Sequence, residues 1–159
     1  MAHSPMYLAQ LNIAEALFDL DDPRIADFVN NLDRINAVAE RMPGYVWRLK
    51  DESGNATALN WDDNPRMIVN MSVWKRAKDL ETFVFNTVHR EIYKRRAEWF
   101  SAMKSHHFVL WWVAADHIPD LAEAREKLAH FNANGPTPTA FGWDKLLPED
   151  SLWRESRCA

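Results

Sequence analysis

The chain has 159 residues, 47% of them hydrophobic and 26% charged, a balance typical of one globular domain. Its formal net charge of −4 argues against a basic surface for nucleic acid. The longest apolar run, Phe108–Ala115, is far shorter than the ~20 residues that cross a bilayer, so no membrane partner is expected. The first residues are too polar for a signal peptide, and the single cysteine, Cys158, excludes an internal disulfide. We therefore expect a cytoplasmic protein.

The first half of the chain predicts two strands around a helix. Alternation of apolar and polar residues indicates the first strand, an acidic cap followed by proline begins the helix, and proline-glycine ends it. Aromatic and β-branched residues indicate the second strand, and a polar loop follows. In chain order these elements are a strand over Met6–Asn12, a helix from Asp21-Asp22-Pro23 to Met42, a strand over Tyr45–Leu49 and a loop over Asp51–Arg66.

The second half predicts two further strands, each followed by a helix. The helix after the third strand begins near Asp79 and includes the segment 83–100. A short edge strand and a loose tail come last. In chain order these elements are a strand over Met67–Trp74, the helix through 83–100, a strand over Phe108–Ala114, a helix over Leu121–Asn132, an edge strand over Ala140–Trp143 and a tail over 149–159.

This order predicts an α+β, ferredoxin-like βαββαβ domain with an antiparallel sheet, an extra C-terminal helix and a short strand. We expect one domain over 1–159, with its core at about 6–148. An open sheet of this type leaves one face uncovered, so the tryptophans of the third and fourth strands would be exposed in a monomer. Because large apolar patches are rare on soluble monomers, the eight tryptophans favour a homodimer whose sheets face each other.

The segment 83–100 carries the leading candidate for chemistry. His89 shares one side of the predicted helix with Phe85, Tyr93, Arg96 and Phe100, at steps of three or four residues. An imidazole can act as general acid or base, and a guanidinium suits a substrate anion. A histidine bonded to a strand polar group such as Asn70 or Ser72 is the alternative interpretation. Arg95 is expected to turn to another side.

Polar residues on two strands form the second candidate feature. Gln10 and Asn12 share one face of the first strand, and Asn70, Ser72 and Trp74 share one face of the third. A few polar groups inside an aromatic shell are typical of a small-molecule site. Alternation leaves open which face of the sheet lines the cavity. The predicted substrate-binding residues are Asn12, Ser72, Trp74, Phe85, Tyr93, Trp99 and Trp112.

Other chemistries lack their motifs. The adjacent His106 and His107 point to opposite faces of a strand, and no His, Cys or carboxylate cluster has zinc-type spacing, so no metal site is predicted. The chain has no GxGxxG, no GK[ST] phosphate loop, no GxSxG and no CxxC. We therefore expect no tightly bound organic cofactor.

Four segments together resemble a known family: NMSVW (70–74), HREIYKRRAEWF (89–100), LWWV (110–113) and GPTPTAF (135–141). In this order and spacing they are similar to the bacterial family called domain of unknown function 3291, and the resemblance spans Met6–Pro148. That family belongs to the dimeric α+β barrel superfamily, which also holds antibiotic-biosynthesis monooxygenases, muconolactone isomerases and several haem enzymes. The resemblance implies the fold and a dimer, whereas chemistry has to be argued from the site.

The function expected from both arguments is a small enzyme that binds an apolar or aromatic molecule. It would abstract a proton and then oxygenate or isomerise its substrate, with His89 as acid or base and with Arg96 and Asn70 stabilising negative charge. Two alternatives stay open: haem bound with His89 as axial ligand, as the haem-binding relatives suggest, and a binding or interaction module without catalysis.

Overall fold

A computed structural model describes residues 5–50, 61–103 and 105–145 of the chain. Most of the predicted polar loop (51–60) and the predicted tail lie outside these residues. Four strands form one antiparallel sheet in the order β2-β3-β1-β4. The strands are β1 Met6–Glu15, β2 Tyr45–Arg48, β3 Met67–Trp74 and β4 Phe108–Ala114. The predicted α+β, ferredoxin-like architecture is confirmed.

The bounds of β3 and β4 agree with the prediction, and β2 ends at Arg48, one residue before its predicted end. The largest difference is at the end of β1. This strand continues three residues beyond Asn12, because Ile13, Ala14 and Glu15 go on pairing with β3. The predicted edge strand is reduced to one bridge, in which Phe141 and Leu110 exchange two backbone hydrogen bonds. No helix in the described part of the chain is long and apolar enough to span a bilayer.

Helices connect and cover the strands. Asp22 accepts a hydrogen bond from the Arg24 backbone N–H and begins a 3-10 turn that leads into the first helix. Gly44, at φ +84°, makes the turn from that helix into β2. The helices are α1 Ala26–Arg41, α2 Ala77–Phe85, α3 Val88–Lys94, α4 Arg96–Trp99 and α5 Leu121–Asn134, with 3-10 turns at Pro23–Ile25 and Trp143–Lys145.

The prediction of one continuous helix through 83–100 is wrong. The helix ends at Phe85, and Thr87 adopts an extended conformation before α3 begins. The Thr87 hydroxyl donates to the Phe83 carbonyl at 2.6 Å and accepts from the His89 backbone N–H at 3.2 Å. This local bonding offers the backbone an alternative to the helical ladder, which an apolar periodicity does not reveal. A second break follows at Arg95.

The two faces of the sheet differ in composition. The face that carries Leu8, Gln10 and Asn12 of β1, called the cleft face below, also carries Ser72 and Trp74 through its register with β3. Helices α1 and α2 pack on this face, together with Phe141 and Trp143. The opposite face is apolar and packs against Ala124, Leu128 and Phe131 of α5.

The expectation that strand tryptophans would be exposed in a monomer is wrong for two of the three. Trp74 is fully buried on the cleft face. Trp111 is 1% exposed beneath α5, where its indole N–H donates to Glu123 at 2.8 Å. Only Trp112 is open to solvent, at 39%. The homodimer therefore stays a prediction, and the argument from an uncovered sheet face no longer supports it.

Candidate functional site

A cleft of about 1450 Å³ lies between the cleft face of the sheet and the helices. Its floor comes from β1 and β3, and its walls come from α1, α2 and α3 and from the segment 96–108. It extends to residues 48–49, 131–132 and 142–144. Small-molecule sites commonly measure ~300–1,000 Å³, so this cleft has room for a ligand of at least that size.

The floor of the cleft is polar. Gln10 pairs with Ser72 across the β1–β3 ladder, and Asn12 pairs with Asn70. The Gln10 side-chain amide donates to Asn70 Oδ1 at 2.6 Å and to Ser72 Oγ at 2.9 Å. These bonds hold three side chains in a fixed arrangement, called the polar floor below. Because Asn70 Oδ1 accepts the hydrogen bond from Gln10, the Asn70 Nδ2 group remains as a donor for a ligand.

The hydrogen bond from Trp74 determines the direction of the hydrogen bonds that the Ser72 hydroxyl makes within the protein. The indole N–H can only donate, and it donates to Ser72 Oγ at 2.8 Å from a fully buried position. Ser72 Oγ therefore accepts two hydrogen bonds, from Trp74 and from Gln10. Its own O–H remains as a donor toward the cleft that Ser72 lines.

His89 stands on α3, in the wall of the cleft, and is half-buried. Its Nδ1 lies 3.2 Å from the Val84 carbonyl oxygen, so Nδ1 carries the proton and donates. Nε2 has no hydrogen-bond partner among the described residues and is not sealed from solvent. Burial lowers the pKa of His89 below its ordinary 6.5, although the Val84 hydrogen bond opposes this shift. The imidazole is therefore neutral at pH 7, with Nε2 as a free acceptor.

The Phe83 and Tyr93 rings flank the imidazole. The Phe83 centroid lies 5.0 Å from the His89 centroid, and the Tyr93 ring is stacked 6.4 Å away. Phe85 meets Tyr93 edge to face at 6.3 Å. These rings provide apolar area around the nitrogen that is free to act.

The two consecutive arginines separate as predicted. Arg95 pairs with Asp27 at 3.0 Å and with Glu98 at 2.9 Å, and these carboxylates raise its pKa. Arg96 lines the cleft instead, with its guanidinium 4.1 Å above the Tyr93 ring. Arg96 forms no ion pair with the nearby Glu91 or Glu98, since Lys94 lies 4.0 Å from Glu91 and Arg95 pairs with Glu98.

The cleft brings together most of the predicted site residues. Those that line it are Asn12, Asn70, Ser72, Phe85, His89, Tyr93 and Arg96. The other three are tryptophans. Trp74 lies beneath the polar floor, Trp99 packs with Ile25 and Phe28 behind α1, and Trp112 lies near Phe141 at the exposed end of β4.

Sequence reasoning left two contributors out of its candidate set. Gln10 organises the polar floor, and its place on the same strand face as Asn12 was the available signal. The other contributor is the pair His106 and His107, both of which line the cleft, with the His106 ring packed against Phe131 at 4.0 Å. The prediction that the two histidines point to opposite faces of a strand does not apply, because β4 begins only at Phe108. No group of three metal-ligating side chains occurs in the described ranges.

The fold and the cleft define a class of protein: a ferredoxin-like domain with a small-molecule-sized cleft between its sheet and its helices. The profile of the family described as "Domain of unknown function (DUF3291)" matches residues 7–157, and the chain belongs to this family. The resemblance seen in the sequence is thus confirmed. A comparison with curated proteins found no match.

Among solved structures, three similar chains are 14% identical to this one. A protein provisionally named an antibiotic biosynthesis monooxygenase, from Nitrosomonas europaea, aligns over 72% of this chain and 93% of its own, with a TM-score of 0.43. A protein of unknown function from the same organism aligns over 74% and 99%, at 0.45. Another provisionally named antibiotic biosynthesis monooxygenase, from Chloroflexus aurantiacus, aligns over 73% and 98%, at 0.39. Likeness at this level carries no information about chemistry.

Proposed function

We propose that this protein is a small enzyme that binds an apolar or aromatic molecule in the cleft and removes a proton from it with His89. The observation that carries the proposal is the state of the imidazole. Its Nδ1–H is held by the Val84 carbonyl, and its neutral Nε2 has no protein partner in the described chain. A general base needs this combination of fixed orientation and a free, unprotonated nitrogen.

The polar floor supports the second half of the reaction. When a C–H beside a carbonyl loses its proton to Nε2, negative charge develops on the carbonyl oxygen. Asn70 Nδ2 and the Ser72 hydroxyl are the donors suited to that oxygen, and Arg96 adds positive charge to the same cleft. Gln10 and Trp74 are positioning residues, because they hold these two donors in orientation.

Two reactions of the deprotonated substrate are chemically balanced without a bound cofactor. In an isomerisation, the proton on Nε2 returns to a different carbon and no oxidant is needed. In an oxygenation, molecular oxygen is the co-substrate. A CH₂ group becomes a carbonyl, the two hydrogens leave with the second oxygen atom as water, and no external reductant is consumed. Both begin with the same proton transfer.

Haem ligation by His89 is the second candidate, and the same histidine favours it. A metal-ligating histidine usually donates its other ring N–H to a carbonyl or carboxylate, as His89 does to Val84. His89 would hold the iron through Nε2, and Arg96 would be available to an acidic group of the macrocycle. Haem would supply redox chemistry that the side chains lack.

Hydrogen exchange in D₂O tests the proton transfer directly. Aromatic ketones with an acidic C–H are incubated with the protein, and deuterium uptake is followed by mass spectrometry. We expect catalysed exchange with the wild type and about a hundredfold slower exchange with His89→Gln, since general base catalysis contributes ~10²–10⁴-fold. His117→Gln is the matched control, because His117 bonds to Glu123 outside the cleft lining.

Three results would redirect the assignment. Equal exchange with the wild type and His89→Gln would remove His89 from the chemistry. Ligand binding without exchange in any variant would favour a binding module. A Soret shift on titration with hemin, lost in His89→Gln and kept in His117→Gln, would favour haem ligation.

A further inference from the structure

The charged groups of the cleft are mostly basic, although the protein as a whole is acidic. Among the described lining residues are two arginines and a single carboxylate, that of Asp144. The histidines of the lining are not counted with them, since the imidazole of His89 is neutral at pH 7. The chain carries a formal net charge of −4. The lining therefore attracts anions through its arginines.

The two arginines of the lining differ in their partners. Arg48 is held by Glu40 at 2.9 Å, so its charge is compensated within the protein. Arg96 has no carboxylate partner in the described part of the chain. It donates one hydrogen bond, from Nη1 to the Tyr93 carbonyl at 2.9 Å. The rest of its planar N–H fork stays available.

The position of Arg96 relative to the rings is also informative. Its guanidinium lies over the ring of Tyr93, which is 39% exposed, so both belong to the open side of the cleft. His107, another lining residue, has its pKa lowered by burial first and by the charges of His106 and Arg96 next. A cation that stacks on an aromatic ring while it faces an apolar cleft is suited to a ligand with both an acidic and an apolar part.

We propose that the natural ligand of the cleft is an apolar acid, ionised at neutral pH, whose carboxylate binds Arg96 while its apolar body lies over the polar floor. This inference rests on the proposed function and narrows it to a substrate class. It also refines the role of Arg96, which binds a fixed charge of the ligand at the cleft opening. The charge that develops during reaction is left to Asn70 and Ser72.

A matched pair of competitors tests the inference. The fluorescent apolar probe phenylnaphthylamine reports occupancy of the cleft, and naphthoate and naphthamide compete for it. The competitors share one ring system and differ in charge. With the wild type we expect naphthoate to displace the probe at about a tenfold lower concentration than naphthamide, as a charge-assisted pair provides.

Two variants that each remove one positive charge distinguish a specific contact with Arg96 from a general electrostatic attraction of anions. In Arg96→Gln the ratio of the two competitor concentrations should fall to about one, with naphthamide unaffected. In Arg90→Gln, which alters an exposed arginine of α3 outside the cleft lining, the tenfold ratio should remain. Circular dichroism melting confirms that both variants are folded.

The possible failures are distinguishable. An unchanged ratio in Arg96→Gln, or an equal loss in Arg90→Gln, would overturn the acid inference and leave the proposed function standing. Absence of probe binding to the wild type would show that the cleft does not take apolar molecules. That result would overturn the proposed function, and the inference would fall with it.

Discussion

At the scale of the residue, His89 combines a structural bond with an unoccupied nitrogen. Its Nδ1–H belongs to the Val84 carbonyl, which fixes the ring, and its Nε2 faces no protein donor or acceptor in the described ranges. Buried side-chain nitrogens are usually bonded within the protein, whereas Nε2 of this half-buried ring is open to the cleft and to a ligand there. The half-satisfied ring is therefore the strongest residue-level sign of chemistry in this protein.

The lowered pKa of His89 predicts how stability depends on pH. As pH falls below 6.5, His89 of the unfolded chain takes up a proton first, while burial keeps the folded residue neutral to lower pH. The unfolded state then binds more protons, so the free energy of unfolding falls on acidification from pH 7 toward 5. In His89→Gln this fall should be smaller. His107, whose pKa burial also lowers, keeps its own contribution.

Urea denaturation of both proteins at several pH values measures this difference. A proton NMR titration gives the pKa of His89 independently. A measured pKa of 6.5 or above would contradict the half-buried, neutral imidazole, and the assignment of Nε2 as a base at neutral pH would be lost with it.

At the scale of the element, the break between α2 and α3 aims His89 into the cleft. Thr87 caps α3 and donates a hydrogen bond to the Phe83 carbonyl. Helix α3 therefore begins as a separate helix and does not continue the axis of α2. In an unbroken helix, alanine at position 87 would be stabilising, because alanine is the best helix former. At a cap, the same substitution removes hydrogen bonds that the backbone needs.

An unbroken helix and a cap at Thr87 predict changes of opposite sign in the free energy of unfolding for Thr87→Ala. We expect the substitution to lower the free energy of unfolding by about 1 kcal/mol, the usual cost of losing a Thr cap. Thr87→Ser keeps the hydroxyl and should lose much less. Urea denaturation measures both variants, and a stabilised Thr87→Ala protein with increased helical circular dichroism would show that 83–100 forms one helix after all.

At the scale of the whole molecule, α5 closes the face of the sheet that the strand pattern left open. Leu128, 5% exposed, is one of the α5 residues that pack on this face. The Trp111–Glu123 hydrogen bond fixes the helix to β4. The sheet thus has a core on each side within one chain, and burial of its tryptophans does not require a second copy.

Removing one contact of α5 should therefore weaken the single chain. We expect Leu128→Ala to cost about 3 kcal/mol, as other buried leucine truncations do, and the exposed Glu126→Ala to cost almost nothing. Repeating the measurement at several protein concentrations tests the predicted homodimer, because a midpoint that rises with concentration indicates that folding is coupled to dimerisation. A midpoint that does not change would place the stability within the single chain.

Local patterns predicted much of the fold and part of the site. The bounds of β3 and β4 and the start of α5 at Leu121 agree with the prediction, because side-chain periodicity reports burial directly. Arg96 was separated from Arg95 by the same geometry. The joint position of Asn12, Asn70 and Ser72 followed from alternation once the two strands were paired.

Three features of this protein depended on the tertiary structure. The side of the sheet that α5 covers is one of them, since both faces carry apolar residues. The roles of Trp74, Trp99 and Trp112 are another. The sequence does not distinguish a tryptophan that bonds beneath the polar floor from one that packs against a helix or one that lies exposed. The third is the free nitrogen of His89. The amino-acid sequence by itself determined the four strands, the first and last helices and their order, because these depend on neighbouring residues. The cleft depended on contacts between residues far apart in the chain.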